Sequence, residues 1–433
     1  MRKLGLTYLL LVNVCFAQEV QVLTYEKAAQ TALENNLGIK MVKNETVVAH
    51  NTNTVGNAGM LPDVVFNANG SYANNTTNQD YASGLQVNRS GVVSNGINSG
   101  ILLSWTVFDG MSMFAVKDRL SANEEISTIR LKQQVENTLV ELSQAYYDLV
   151  RQKQQINAIK ENIKVYEERL RIEQMRLDIG KAAKTGVLLA KVDLNEQKAM
   201  LITAETNYKN AQVQLNQLMF MPVENEFEVS DEINFTYSPG YDELKTGFVK
   251  KNNAVLIAEK NVGLSMYMKR EIEGMRYPRV TLNTSYNFTR STNQAGFVLL
   301  NQNLGFNAGF NVSWTLFSGF KTQTLVKNAK IYIENSQYAL EDVKRKTEMA
   351  LLQAWRKFES AKKVLVLEEE NYTLAKENMD ISLERFKLGN MTTIEFKETQ
   401  TSLQAVELRL FNARYEAKVA ETELMRLNGD LVK

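Results

Sequence analysis

Few of the 433 residues have the types and spacing that chemistry needs. There is one histidine (His50) and one cysteine (Cys15), so protein ligands for a zinc or iron site cannot be assembled. His50 stands in a polar, helix-like stretch and reads as a surface residue. No nucleophile elbow, metal-spaced His/Cys set or Gly-rich phosphate loop followed by a helix is present. Acidic runs such as Glu368-Glu369-Glu370 read as solvated helix faces. Thr392-Thr393-Ile394-Glu395 has the spacing of a capping box, in which the glutamate closes back on a helix start. The chemistry on offer is therefore structural: no catalytic residue, no metal and no cofactor are expected. With 50 basic against 49 acidic side chains the formal charge is +1, which leaves no electrostatic footprint for nucleic acid.

The elements that position these residues begin after an export signal. Arg2 and Lys3, the apolar run Leu4 to Phe16 and a small-residue cut site after Ala17 predict a signal peptide over 1–17. Cleavage there removes Cys15; a lipid anchor at Cys15 is the weaker reading, because Asn13-Val14 lacks the usual small residue. No other stretch approaches the ~18 apolar residues of a membrane helix, so any membrane span must be made of strands.

The chain repeats itself. Ser104-Trp105-Thr106-Val107-Phe108-Asp109-Gly110 returns as Ser313-Trp314-Thr315-Leu316-Phe317-Ser318-Gly319, an offset of 209. The same offset carries Arg176-Leu177-Asp178-Ile179-Gly180 onto Arg385-Phe386-Lys387-Leu388-Gly389, and Pro62 and Pro278 open matching segments. A tandem duplication is expected, with repeats over 18–221 and 241–433 and a linker over 222–240. Each repeat predicts a helix (about Tyr25–Gly56, Tyr241–Arg276), two strands, a long helix (Met111–Asp178, Phe320–Lys387), a turn and a second helix (Gly186–Phe220, Thr393–Leu427).

The strands alternate strictly. Phe306, Ala308, Phe310, Val312, Trp314 and Leu316 interleave with Asn307, Gly309, Asn311, Ser313 and Thr315, and the strand after Pro278 behaves alike. A soluble sandwich with one wet face and a membrane barrel both fit this alternation. The barrel is favoured by Asn/Ser/Thr/Gly polar faces with few charges and by strands of roughly 10–12 residues. The segments Asn75–Asn95 and Ser291–Asn303 read as exposed loops. Four strands cannot close a barrel, so copies must pool them, and a passage needs at least three copies. From Gly110 to Gly180, and again from Gly319 to Gly389, run 70 residues, or about 105 Å of helix. Val135, Leu139, Leu142, Tyr146 and Leu149, then Ile156, Ile159, Ile163, Tyr166 and Leu170, step by threes and fours as coiled-coil seams do.

Signal, duplication, paired strands and two long helices ending in Gly-containing turns resemble the TolC-type outer-membrane efflux proteins, over essentially the whole mature chain. The resemblance implies an α+β fold: a trimeric outer-membrane β-barrel, four strands per chain, continued by a long α-helical coiled-coil tunnel in the periplasm. It implies a channel in outer-membrane lipid, for tripartite efflux of small molecules or for type I secretion. Its partners would be a periplasmic adaptor and an inner-membrane pump of RND or ABC type. Ile179-Gly180-Lys181 and Leu388-Gly389-Asn390 match the opening of the family's tip motif and would meet the adaptor. Glu395 and Glu398 match acids that narrow the pore and select ions. Gly186, Phe386 and Met391 stand where relatives carry a salt-bridged latch, which these residues cannot form. The rival reading is a coiled-coil periplasmic adaptor or scaffold with no channel of its own.

Overall fold

A computed structural model describes residues 22–295 and 298–432. The expected signal peptide and Cys15 lie outside the described residues. In chain order the elements are β1 (Val22–Leu23), α1 (Tyr25–Asn35), α2 (Leu37–Thr52), β2 (Asp63–Asp80), β3 (Gln86–Phe108), α3 (Ser112–Asp178), α4 (Lys184–Met219), β4 (Glu228–Val229), α5 (Tyr241–Lys251), α6 (Asn253–Gly274), β5 (Arg279–Asn293), β6 (Leu300–Ser313), α7 (Lys321–Lys387) and α8 (Thr393–Asn428). The long helices α3 and α7 both span 67 residues, and α4 and α8 both span 36. Two compact units divide the chain, and each draws segments from both halves of the sequence.

One unit holds 40–134 and 245–349. Its sheet runs β2-β3-β5-β6, antiparallel throughout. The register brings Phe66, Ile101, Tyr286 and Phe306 into one row across all four strands, and Trp105, Leu282 and Phe310 into another. One residue along lie Asn67, Gly100, Asn287 and Gly305, and on that polar face the Thr289 hydroxyl donates to Asn98 Oδ1 at 3.0 Å. Because side chains alternate along a strand, these rows share one face, which is mostly apolar, with Ile97, Arg290 and Gln302 forming a mixed row farther along it. That face is bare: Phe66, Phe306 and Phe310 are 68%, 68% and 76% exposed. The two outer strands, β2 and β6, each keep an unpaired edge among the described residues. Bare apolar rows and open edges are liabilities in water, and both disappear when such a sheet closes within lipid.

The strands differ from expectation in length. Segment 75–95 is mostly strand: β2 continues to Asp80 and β3 starts at Gln86, pairing Asp80 with Gln86 after one irregularity between Asn75 and Thr77. Segment 291–303 likewise contributes the ends of β5 and β6. A ladder is held by backbone hydrogen bonds and needs no apolar side chains, so polar composition did not mark where pairing stops. At the other end, β6 stops at Ser313 rather than Leu316, because its partner β5 begins opposite it at Arg279.

Both strand-to-helix corners use the same device. Gly110 and Met111 (φ 72° and 69°) and Gly319 and Phe320 (φ 61° and 64°) take left-handed backbone before α3 and α7. At Gly110 a side chain would also collide with the Gly274 carbonyl, 2.2 Å from its Cβ position, so α6 ends in backbone contact with the start of α3. Each expected first helix is broken in two. Asn36 and Asn252 have ψ of 121° and 122°, and their side chains accept from the amides of Ile39 and of Ala254 and Val255. An asparagine N-cap restarts the helix at matching places, although the apolar spacing reads straight through.

Among the described residues the second unit holds 22–39, 135–244 and 350–432. Its upper core packs Leu142, Tyr146, Leu149 and Val150 of α3 against Ala28 and Ala32 of α1, Leu215 and Met219 of α4, and Val229 of β4. These include the predicted seam residues Leu142, Tyr146 and Leu149, of which Leu142 and Leu149 are fully buried. β1 and β4 form a short parallel pair, capped by the Tyr146 hydroxyl donating to the Leu23 carbonyl at 2.9 Å. Segment 222–240 is tied to α8: Glu421 Oε1 accepts the amides of Thr236 and Tyr237 at 2.9 and 2.8 Å, and Lys418 donates to the Asn234 carbonyl at 2.7 Å. A lower core gathers Ile172, Met379, Phe386, Phe396 and Leu403 next to the two helical turns.

Candidate functional site

The turns joining α3 to α4 and α7 to α8 are built alike. Gly180 and Gly389 (φ 72° and 81°) let the chain leave each helix in left-handed conformation. Behind them the Lys181 amide reaches back to the Arg176 carbonyl at 2.7 Å, and the Asn390 amide to the Arg385 carbonyl at 2.9 Å. With Gly180 N–H on Leu177 and Gly389 N–H on Phe386, both ends are Schellman closures, which satisfy carbonyls that no helix turn can reach. Ile179 and Leu388 are left 66% and 75% exposed, with Lys181 and Asn390 exposed beside them.

The structure brings these two turns together. The Arg176 guanidinium donates to the Phe386 carbonyl and lies 4.5 Å over the Phe386 ring. That ring stacks on Phe396 at 4.5 Å with planes 6° apart. The Thr393 hydroxyl donates to Glu173 Oε1 at 2.5 Å. A Cβ on Gly186 would lie 2.9 Å from Glu173 Oε2, so the small residue leaves room for that buried carboxylate. Gly186, Phe386 and Met391 form no salt bridge, and Phe386 and Met391 pack in the lower core.

Glu395 and Glu398 both lie exposed at the start of α8. Glu395 completes the predicted capping box: its Oε2 accepts the Thr392 amide and hydroxyl, each at 2.8 Å, while its own amide donates to Thr392 Oγ1. The Thr392 backbone N–H, then its hydroxyl, hold the Glu395 carboxyl below the usual carboxylate range, so it is ionised at neutral pH. α4 lacks this device, since Ala183 offers no capping side chain.

Above the turns is a buried polar cluster that apolar periodicity did not reveal. Arg169 of α3 is fully buried; its Nη1 donates to Asp193 Oδ2 of α4 at 3.0 Å and to Gln400 Oε1 of α8 at 3.2 Å. The other Asp193 oxygen accepts Lys397 of α8 at 2.8 Å. One carboxylate thus joins three helices, and a charge that cannot reach water must be paired in this way. The available signal was Arg169 three residues after the seam residue Tyr166, a charge at a core position. Farther along α8, burial raises the Glu407 carboxyl, against the hydrogen bond it accepts from Asn162 at 2.9 Å.

His50 is exposed as expected and pairs with Glu124 at 2.7 Å. Among the described residues no group of His, Cys, Asp or Glu could hold a metal ion, and no helix is long and apolar enough to cross a membrane.

Comparison with known proteins agrees with this geometry. The chain is 25% identical over 334 residues to the outer membrane efflux protein BepC of Brucella suis, covering 76% of this chain and 71% of that protein. It is 20% identical over 361 residues to the outer membrane protein TolC of Escherichia coli, covering 81% and 73%. The fold matches the Campylobacter jejuni CmeC outer membrane channel with a TM-score of 0.78 at 15% identity, covering 94% of this chain and 86% of that one. The family described as outer membrane efflux protein matches residues 28–219 and 274–430, helices, strands and both turns among them, and the chain belongs to that family.

Proposed function

We propose that three copies of this outer-membrane efflux channel pool their sheets into one twelve-stranded barrel, and that the barrel is the exit duct of a tripartite pump. The observation that carries this is the four-stranded sheet with one exposed, mostly apolar face, one polar face and two open edges. Edge β6 of one copy pairs with edge β2 of the next, the apolar rows meet lipid, and the Asn/Gly/Ser rows line the lumen. Channel rather than adaptor is also what family membership indicates. The halves 18–221 and 241–433, linked by 222–240, act as duplicated modules, each supplying one hairpin and one helical turn.

The duct receives small molecules from an inner-membrane pump of RND or ABC type through a periplasmic adaptor. Ile179, Gly180 and Lys181 with Leu388, Gly389 and Asn390 are the docking tip, supported by the exposed apolar pair on turns that both close their preceding helices in Schellman geometry. Glu395 and Glu398, repeated by three copies, form a ring of six carboxylates that favours cations. The test is purification from outer membranes, mass measurement of the assembly and conductance in planar bilayers. A trimer with discrete cation-selective channels supports the reading; a non-conducting monomer overturns it. Amine cross-linking in cells through Lys181, followed by mass spectrometry, then identifies the adaptor and pump.

A further inference from the structure

The height of one charge on the lipid-facing side of the sheet can be read from the register. Trp105 Nε1 donates to the Met60 carbonyl at 2.8 Å, and Trp314 Nε1 to the Arg276 carbonyl at 3.0 Å. Tryptophan at the end of an apolar strand, with its N–H satisfied, marks a membrane–water boundary. The long helices α3 and α7 start at this end, so in the outer-membrane reading it is the periplasmic boundary. Trp105 stands in the row of Leu282 and Phe310, and Arg290 lies eight residues past Leu282 on the same face of β5. At ~3.4 Å per residue that is ~27 Å along the strand, or ~21 Å of height at a tilt of ~40°. The lipid-facing band of such barrels is ~25 Å tall, so Arg290 arrives just under the opposite, outer boundary. A charge facing lipid is costly at the midplane and nearly free at the edge, where a long side chain reaches out to the headgroups. From the Trp105 row to the row of Tyr72, Asn95, Thr292 and Leu300, Arg290 is the only charged side chain on this face. It is exposed, and among the described residues it is not ion-paired. Assembly leaves this setting intact: copies join through the open edges of β2 and β6, whereas β5 lies between β3 and β6 of its own chain. Counted from the opening prolines Pro62 and Pro278, the position matching Arg290 in the first hairpin is the neutral Asn74.

We propose that Arg290 binds a phosphate of the phosphorylated glycolipid in the outer leaflet, one site per copy and three around the barrel. The guanidinium presents its planar fork to the phosphate oxygens, a pairing that a point charge would not orient. One row below, Phe288 and Leu304 face the acyl chains. Gln302 in the same row, and Asn95 and Thr292 in the row above, offer amide and hydroxyl groups to the sugar, with Tyr72 at the interface level. These sugar-facing groups favour a glycolipid over a phospholipid headgroup. The apolar rows below favour any lipid over a soluble phosphate, which has no chains to lay on them. The inference rests on the outer-membrane reading above.

The test uses the full-length assembly in detergent, mixed with bisphosphorylated lipid A, its dephosphorylated form or dioleoylphosphatidylglycerol, with retained lipid counted by native mass spectrometry. Phosphorylated lipid A is expected to be retained about fivefold better than the dephosphorylated form, and better than phosphatidylglycerol. The R290Q variant, its subunit count verified in the same spectra, loses the preference for the phosphorylated form. R279Q keeps it, because Arg279 donates to Thr106 on the polar face at the periplasmic end. Equal retention of the two lipid A forms by the unaltered protein overturns the proposal, and so does an R290Q assembly that still prefers the phosphorylated one. Phosphatidylglycerol retained as well as phosphorylated lipid A overturns the choice of a glycolipid. Retention of no lipid, with the protein soluble without detergent, overturns the outer-membrane reading itself.

Discussion

At the scale of residues, the chemistry of this chain is that of charges held in place. Asp193 is shared between Arg169 and Lys397, and its removal leaves a fully buried guanidinium unpaired. Asp193→Ala is expected to destabilise the helical unit by about 3–5 kcal/mol. Arg169→Met together with Asp193→Leu should recover most of that, because the apolar pair leaves no buried charge uncompensated; thermal unfolding of the two variants measures both. Glu395 provides a pH dependence of known sign. Its folded-state carboxyl is lowered by the Thr392 contacts, so the cap contributes stability above the unfolded pKa and loses it as pH falls through the folded one. Protection of the first-turn amides of α8, taken relative to their intrinsic exchange rate at each pH, should be present at pH 7. It should be lost as pH falls through the lowered Glu395 pKa, with Thr392→Ala unprotected throughout. In bilayers, Glu395→Gln with Glu398→Gln should reduce cation selectivity, most visibly at low salt where the Debye length is long. Unchanged reversal potentials would remove these two acids from the pore.

At the scale of elements, helix continuity is governed by caps that periodicity does not register. Asn36 and Asn252 each stop one helix and start the next, and replacing Asn252 with alanine forfeits two accepted amide bonds. A loss of about 1 kcal/mol in unfolding experiments is expected for that substitution. The same reasoning explains why α1–α2 and α5–α6 were legible only as single helices: Ala32, Ile39 and Val42 step by seven and three across the first break, so the apolar pattern carries no trace of it. Strand ends were misplaced for the complementary reason. Thr77, Asn78 and Gln79 pair with Arg89, Asn88 and Val87 through backbone alone, and composition in that hairpin looks like loop. The two turns are tied by Arg176 to the Phe386 carbonyl and ring, a contact between helices with no sequence pattern to announce it. Arg176→Ala should loosen that tie and raise resting single-channel conductance; an unchanged trace would make the contact purely structural.

At the scale of the whole molecule, the lipid-facing rows decide whether the protein assembles. Phe66 and Phe306 are terminal members of the row that crosses all four strands. Arginine at either should disfavour membrane insertion by about 2–4 kcal/mol and lower the yield of assembled protein in outer-membrane fractions. Arginine at Asn67, on the polar face, should leave the yield intact. Because Gly186, Phe386 and Met391 cannot form the salt-bridged latch that the resemblance places there in relatives, the resting channel should conduct more than a latched relative's. Equal or lower conductance would show that Arg176, Glu173 and their partners close the tip as well as a salt bridge does.

Duplication, strand faces, the two 67-residue helices and the capping box were determined by sequence alone, because each is a local or periodic property: matched motifs, alternation, absence of proline and a fixed i to i+3 spacing. Tertiary structure alone decided which charges are buried, where a ladder ends and which turn touches which. Those outcomes depend on partners far apart in the chain, Arg169 with Gln400 and Arg176 with Phe386, whose meeting follows from how four helices pack rather than from any spacing along one.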